Sequence, residues 1–171
     1  MTSRRSWRSD LSQALSALGK PSGEARVALV GVGNALRSDD CIGVHIARAL
    51  ASAFAERGDM LVLDAGTAPE NMTGVLRNFA PDLVVFIDAA DLGEREGVIR
   101  WLDWRETVGL SSSTHTLPLH VVSEFLTREL GCKVSLVGIQ VPENGFQVGD
   151  RDEWVALIAD VVDGMVNIFL R

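Results

Sequence analysis

The chain reads as an α/β protein: a three-layer sandwich with a twisted, mainly parallel five-stranded sheet, one antiparallel strand, and helices on both faces. Three observations predict this. Several short segments are almost continuously apolar, as in strands buried on both faces. Segments with helical spacing alternate with them, which is the pattern of a parallel sheet with crossover helices. One connection is too short for a crossover, which marks an antiparallel strand. With 171 residues, 47% apolar and 23% charged, the chain suits one packed domain spanning residues 1–171.

The elements follow in order. Residues 9–18 place Leu11, Ala14, Leu15 and Leu18 at helical spacing. Residues 19–24 hold Gly, Pro, Ser and Gly and form a loop. The first buried strand is RVALVGV, residues 26–32, followed by a helix over 41–55 carrying Ile42, Ile46, Ala49, Leu50 and Ala53 on one face. MLVLDA, residues 60–65, is a second buried strand. Residues 70–79 form a short helix behind Pro69, a good first-turn residue. LVVFIDA, residues 83–89, is the third strand, and a turn at 92–96 leads to a fourth over 97–102, antiparallel to its neighbour. A polar stretch over 104–116 precedes a helix over 119–130 that ends at Gly131. The fifth strand is VSLVGIQ, residues 134–140, and Asp150 caps a last helix running to about Phe169.

Composition excludes several function classes. Sixteen basic and 23 acidic residues give a net charge of -7, which argues against nucleic acid, whose phosphates call for Lys and Arg clusters. Arg4, Arg5 and Arg8 are the one basic cluster and read as a solvated terminus. Cys41 and Cys132 form no CxxC pair, so neither a structural zinc site nor a redox motif is expected, and two isolated thiols fit a reducing compartment. No apolar run makes a signal peptide or a membrane span. The cytoplasm is the expected location.

In parallel α/β sheets, ligands bind outside the carboxyl ends of the strands. At that edge the first strand leads into GVGNALRSDD, residues 31–40; the second ends at Asp64; the third ends at Asp88. A dinucleotide fingerprint fits Gly31 and Gly33, but Leu36 stands where the third glycine belongs. Asp39 and Asp40 would also repel a pyrophosphate there. Clustered carboxylates suit a cation better. Asp39 has a simpler reading as a helix cap, and Asp40 by itself divides between capping and binding. Asp64 and Asp88 each close an apolar strand, where an idle charge is unfavourable. Among three histidines, His45 reads as a helix residue and His120 as a packed or capping one, while His115 lies in a polar STHT segment with its ring free to bind. An antiparallel fourth strand ends at the wrong edge for His115, but the twelve residues from Asp103 can span up to about 40 Å.

The segments GVGNALRSDDCIGVHIARAL, LDAGTAPEN, VVFIDAADLG, THTLPL and LVGIQ, in that order from about Val27 to Gly145, resemble the hydrogenase maturation endopeptidases, which trim the C-terminus of [NiFe] hydrogenase large-subunit precursors. DAGTAPEN and the IQ after the fifth strand are similar to the branch serving formate-hydrogenlyase-type hydrogenases. The resemblance implies the same twisted five-stranded sheet. It implies that Asp40, Asp88 and His115 bind metal, and that this metal is Ni2+ carried in by the precursor, the expected partner of a monomeric enzyme. Cys41 departs from the pattern, standing where many relatives of this branch carry Gly; a thiol there is a soft ligand or simply a small residue at a helix start.

Two chemistries fit. The ion polarises the scissile carbonyl or activates a water, or it only anchors the substrate while a carboxylate such as Asp64 or Asp88 is general base. Asp64 is the candidate base; its alternative role is a hydrogen bond that fixes the Gly66-Thr67 turn. No HExxH motif or nucleophile elbow is present. A nickel-dependent checkpoint protein that binds the precursor without cutting it, and more distantly a nucleotide-binding enzyme, are the competing readings.

Overall fold

A computed structural model describes residues 5–21, 23–108, 117–145 and 151–170. Five strands form one sheet: β1 (Val27–Val32), β2 (Met60–Gly66), β3 (Leu83–Ala89), β4 (Ile99–Asp103) and β5 (Lys133–Ile139), in the spatial order β2-β1-β3-β5-β4. β1, β2, β3 and β5 are parallel, and β4 runs antiparallel against β5. The expectation that the short 92–96 turn would make β4 a neighbour of β3 is corrected: β5 lies between them. The turn spans that strand instead, anchored by Gln140, whose Oε1 accepts from the Leu92 N–H at 2.7 Å.

The helices are α1 (Trp7–Ser16), α2 (Ile42–Ala53), α3 (Thr73–Phe79), α4 (Leu119–Leu130) and α5 (Arg151–Phe169). α1, α2 and α5 cover one face, where Leu11, Ile46 and Met165 meet Leu29, Val85 and Ile87 of the sheet. α3 and α4 cover the other, where Leu76, Val122 and Leu126 meet Val30, Val84 and Phe86. Period-two alternation in β1 and β3 thus sends successive residues to opposite cores, giving the expected three layers.

β1 and β3 are buried along their whole length, as their unbroken apolar sequences require. β2 is not: as an edge strand it packs on both cores but its Leu61, Val62 and Leu63 are only partly buried, and Asp64 is exposed. That corrects the reading of MLVLDA as a buried strand: its edge position leaves it partly exposed. α1 starts two residues earlier than its apolar spacing suggests, because the Ser6 hydroxyl accepts from the Ser9 N–H at 3.3 Å and Trp7 enters the core. Pro69–Met72 is a 3-10 turn that precedes α3 rather than part of it. The expected cap Asp150 lies outside the described residues.

With β1 between β2 and β3, the connection to β2 leaves in one direction and the later strands build in the other. The crevice at such a switch point, between the carboxyl ends of β1 and β3, is where a ligand fits.

Candidate active site at the carboxyl edge

Two glycines decide how the site is assembled. Gly31, on β1, and Gly43, in the first turn of α2, let helix and sheet approach at backbone distance. A Cβ on Gly31 would lie 2.2 Å from the Gly43 carbonyl oxygen, and one on Gly43 would lie 2.0 Å from that of Ile87 and 2.5 Å from that of Val32. The start of α2 is therefore wedged over the ends of both β1 and β3. Asp40 is three residues before Gly43 and Asp88 directly follows Ile87, so the backbones of both residues flank this contact.

Both are buried, Asp40 to 3% exposure and Asp88 to 1%. The N-cap residue of α2 is Cys41, which makes no side-chain capping bond. Asp39 does not cap the helix either: it is partly exposed and paired with Arg37, Nη2 to Oδ2 2.6 Å, and that guanidinium holds its carboxyl below the usual range. The Cys41 thiol is pushed up by burial, with the charges of Asp40 and Asp39 adding to the effect.

The loop that delivers Asp40 is held by its own backbone. Asn34 N–H donates to the Asp40 carbonyl at 2.9 Å, Arg37 N–H to the Asn34 carbonyl at 2.9 Å, and Asp40 N–H to the Arg37 carbonyl at 3.0 Å. Gly33, with φ +136°, is required here twice over, since a Cβ would fall 1.9 Å from the Asp40 carbonyl oxygen. Asn34, a residue that tolerates a left-handed backbone, does not adopt one: Ala80 is the one positive-φ residue besides glycine among the described residues. Asn34 works instead through its side chain, whose Oδ1 accepts from the Leu36 N–H at 3.0 Å.

Asp64 is placed differently. Its Oδ2 accepts from Arg48 Nε of α2 at 2.7 Å and its Oδ1 from the Gly66 N–H at 3.1 Å. The hydrogen bond on the turn is thus present. β2 carries a register shift opposite Gly31 and Val32, and Gly66 at φ +55° ties its end to β1 by accepting from the Gly33 N–H at 2.9 Å. Asp64 points to the α2 face, while Asp88, alternating with Ile87 and Ala89, belongs to the face under α3 and α4. Asp64 and Asp88 are also two strands apart, about 10 Å. Asp64 therefore lies on the α2 face of the sheet and Asp88 on the face under α3 and α4.

His115 lies outside the described residues. Among the described residues, no group of three His, Cys, Asp or Glu side chains is arranged to hold a metal ion. His45 stands edge-on to Trp154, ring centroids 5.6 Å apart, in keeping with its reading as a helix residue. Glu70, which closes the DAGTAPEN segment's proline turn, keeps its Oε2 buried; the sequence reading passed over it, since nothing but its motif sets it apart.

Comparison with known proteins now decides the family. A family model described as HycI, hydrogenase maturation protease, matches residues 44–169. The chain belongs to the hydrogenase maturation protease family. The Escherichia coli K12 hydrogenase 3 maturation protease is 34% identical over 119 residues, 69% of this chain and 74% of that protein. The [NiFe] hydrogenase maturation protease HycI from Thermococcus kodakarensis superposes with a TM-score of 0.76 at 28% identity, covering 92% of this chain and 99% of that one. The E. coli hydrogenase maturating endopeptidase HybD follows at TM-score 0.59 and 26% identity, covering 82% and 91%. Membership makes the chain a protease, so the reading of it as a non-cutting checkpoint protein or a nucleotide-binding enzyme falls away. The glycines that suggested a phosphate cradle serve the packing of α2. No helix among the described residues is long and apolar enough to cross a membrane.

Proposed function

We propose that this maturation protease removes a C-terminal extension from the precursor of a [NiFe] hydrogenase large subunit, and that it accepts the precursor once nickel has been inserted. The observation that supports this reading is the burial of two carboxylates, Asp40 and Asp88, in segments flanking the close approach of Gly43 to β3. Carboxylate oxygens, with the imidazole of His115 as third donor, make a set suited to a borderline divalent ion with open positions. Here that ion is part of the substrate rather than a resident cofactor.

Asp40 and Asp88 then hold the nickel-bearing segment so that the bond to be cut lies over the carboxyl edge. The ion supplies Lewis-acid polarisation of a neighbouring carbonyl or water. Where nickel only anchors the substrate, a carboxylate takes the proton from water; Asp88 flanks that approach, and Asp64, engaged by Arg48 and Gly66, is the alternative base.

Incubating the protease with nickel-loaded and nickel-free precursor, and weighing the precursor by mass spectrometry before and after, tests the proposal. A peptide released from the nickel-loaded form alone supports it. Release from neither form, or equally from both, refutes it.

A further inference from the structure

One side chain of the loop that carries Asp40 has no part in holding the fold. Leu36 is 95% exposed, and no other large apolar side chain among the described residues is as exposed. A single exposed leucine is ordinary on a protein surface. What sets Leu36 apart is the backbone that holds it. Its own N–H is bonded to Asn34 Oδ1 at 3.0 Å, and the residues around it are closed into a ring by the Asn34 to Asp40 backbone bond at 2.9 Å. The Arg37–Asp39 ion pair braces the same loop. The turn at Gly145 packs against its outer side, so closely that a Cβ on Gly145 would lie 2.3 Å from Ser38 Oγ. A rigid backbone therefore projects an unburied leucine from a position four residues before a buried carboxylate of the candidate site.

We propose that Leu36 is a specificity-determining residue: it contacts an apolar part of the precursor chain beside the bond to be cut, and so sets how tightly the substrate docks. This rests on the proposed function. An apolar side chain whose backbone is already fixed loses little freedom when it is covered, which makes it a favourable anchor. The occupant must be apolar, because the tip offers no hydrogen bond, and it must lie against the Asp40 loop, because the reacting segment does.

Leu36 touches no other element, so its replacement leaves the thermal midpoint unchanged, and the kinetic effect is cleanly separable. The test is steady-state processing of nickel-loaded precursor by wild type, Leu36→Ala, Leu36→Asn and Leu36→Met. Covering a leucine side chain corresponds to about a ten- to hundredfold change in affinity. KM is expected to rise by that factor in Leu36→Ala and Leu36→Asn, with kcat unchanged, and to return near the wild-type value in Leu36→Met. An unchanged KM in the Ala and Asn variants overturns the inference, as does a fall in kcat at constant KM, which would mean that the residue acts through the loop. Wild type that leaves the precursor uncut overturns the proposed function, and this inference with it.

Discussion

Replacing Gly43 by alanine perturbs the contact on which the site depends. The added methyl would lie 2.0 Å from the Ile87 carbonyl oxygen and 2.5 Å from that of Val32. Ordinary carbon–oxygen contact is at least about 3.3 Å, so the first turn of α2 must move by more than 1 Å. The obstacles are backbone atoms of two fully buried strands, and neither can rotate away. Overpacking of this kind costs up to about 3 kcal/mol or more, and the better helix propensity of alanine offsets about 1 kcal/mol. A net loss of about 2 kcal/mol in a chain of this size lowers the thermal midpoint by roughly 4–8 °C. Asp40 is one turn away and must move with the helix, so processing of the precursor should fall by far more than the stability loss explains at a temperature where the variant is folded. Thermal unfolding by circular dichroism and a gel-shift processing assay give the two numbers. Gly74→Ala in α3 is the control: nothing lies within 4 Å of its added methyl, so the midpoint should stay or rise and processing should be normal. A Gly43→Ala variant as stable and as active as the control would refute the reasoning.

Asp88→Asn keeps the shape of a buried side chain and removes its charge; processing should fall at least about a hundredfold while the thermal midpoint stays within a few degrees or rises, because an uncharged group is easier to bury. Full processing would remove Asp88 from the site. Asp64→Asn separates the two roles weighed for that residue: a turn-fixing group leaves processing within a few fold of wild type, whereas loss of cleavage with unchanged binding of the nickel-loaded precursor makes Asp64 the base. Stability should also fall in acid. The Arg57 guanidinium, with Nε 2.7 Å from Oδ1, holds the Asp59 carboxyl below its ordinary value against the opposing effect of burial. Burial raises Asp82, but its bonds to Lys20 and the Arg26 N–H outweigh this and leave it lowered. Both groups bind fewer protons folded than unfolded. Their contribution is therefore present above about pH 4 and is lost as pH falls through the folded values. Unfolding midpoints measured across that range should drop for wild type and drop less for Asp59→Asn; equal slopes would exclude the Arg57–Asp59 pair as a cause.

The fold was legible where one physical demand governs a segment. VALVGV and LVVFIDA lie between two helical layers, so nearly every residue must be apolar, and the sequence says so, with Asp88 as the exception. MLVLDA reads alike, but its place at the sheet edge depends on the order of strands, which no local pattern records. The partner of β4 was hidden for the same reason: a five-residue turn limits how far the chain travels, and it does not reveal that a later strand inserts between. The buried Asp88 was legible as a charge closing an apolar strand. Asp40 was not separable from Asp39 by spacing; what distinguishes them is that Arg37 claims one while the backbone ring turns the other inward. Gly31 and Gly43 carried the most information and the least obvious signal, since close helix–sheet approach and phosphate binding ask for the same residue. The role of His115 rests on its motif alone.

The measurement that bears most directly on nickel recognition by Asp40, Asp88 and His115 is X-ray absorption at the nickel edge, recorded on loaded precursor alone and in complex with the protease. Addition of oxygen and nitrogen ligands on binding wild type, and their loss with Asp88→Ala, is the expected result. A nickel spectrum that is the same free, bound to wild type and bound to the variant would contradict it.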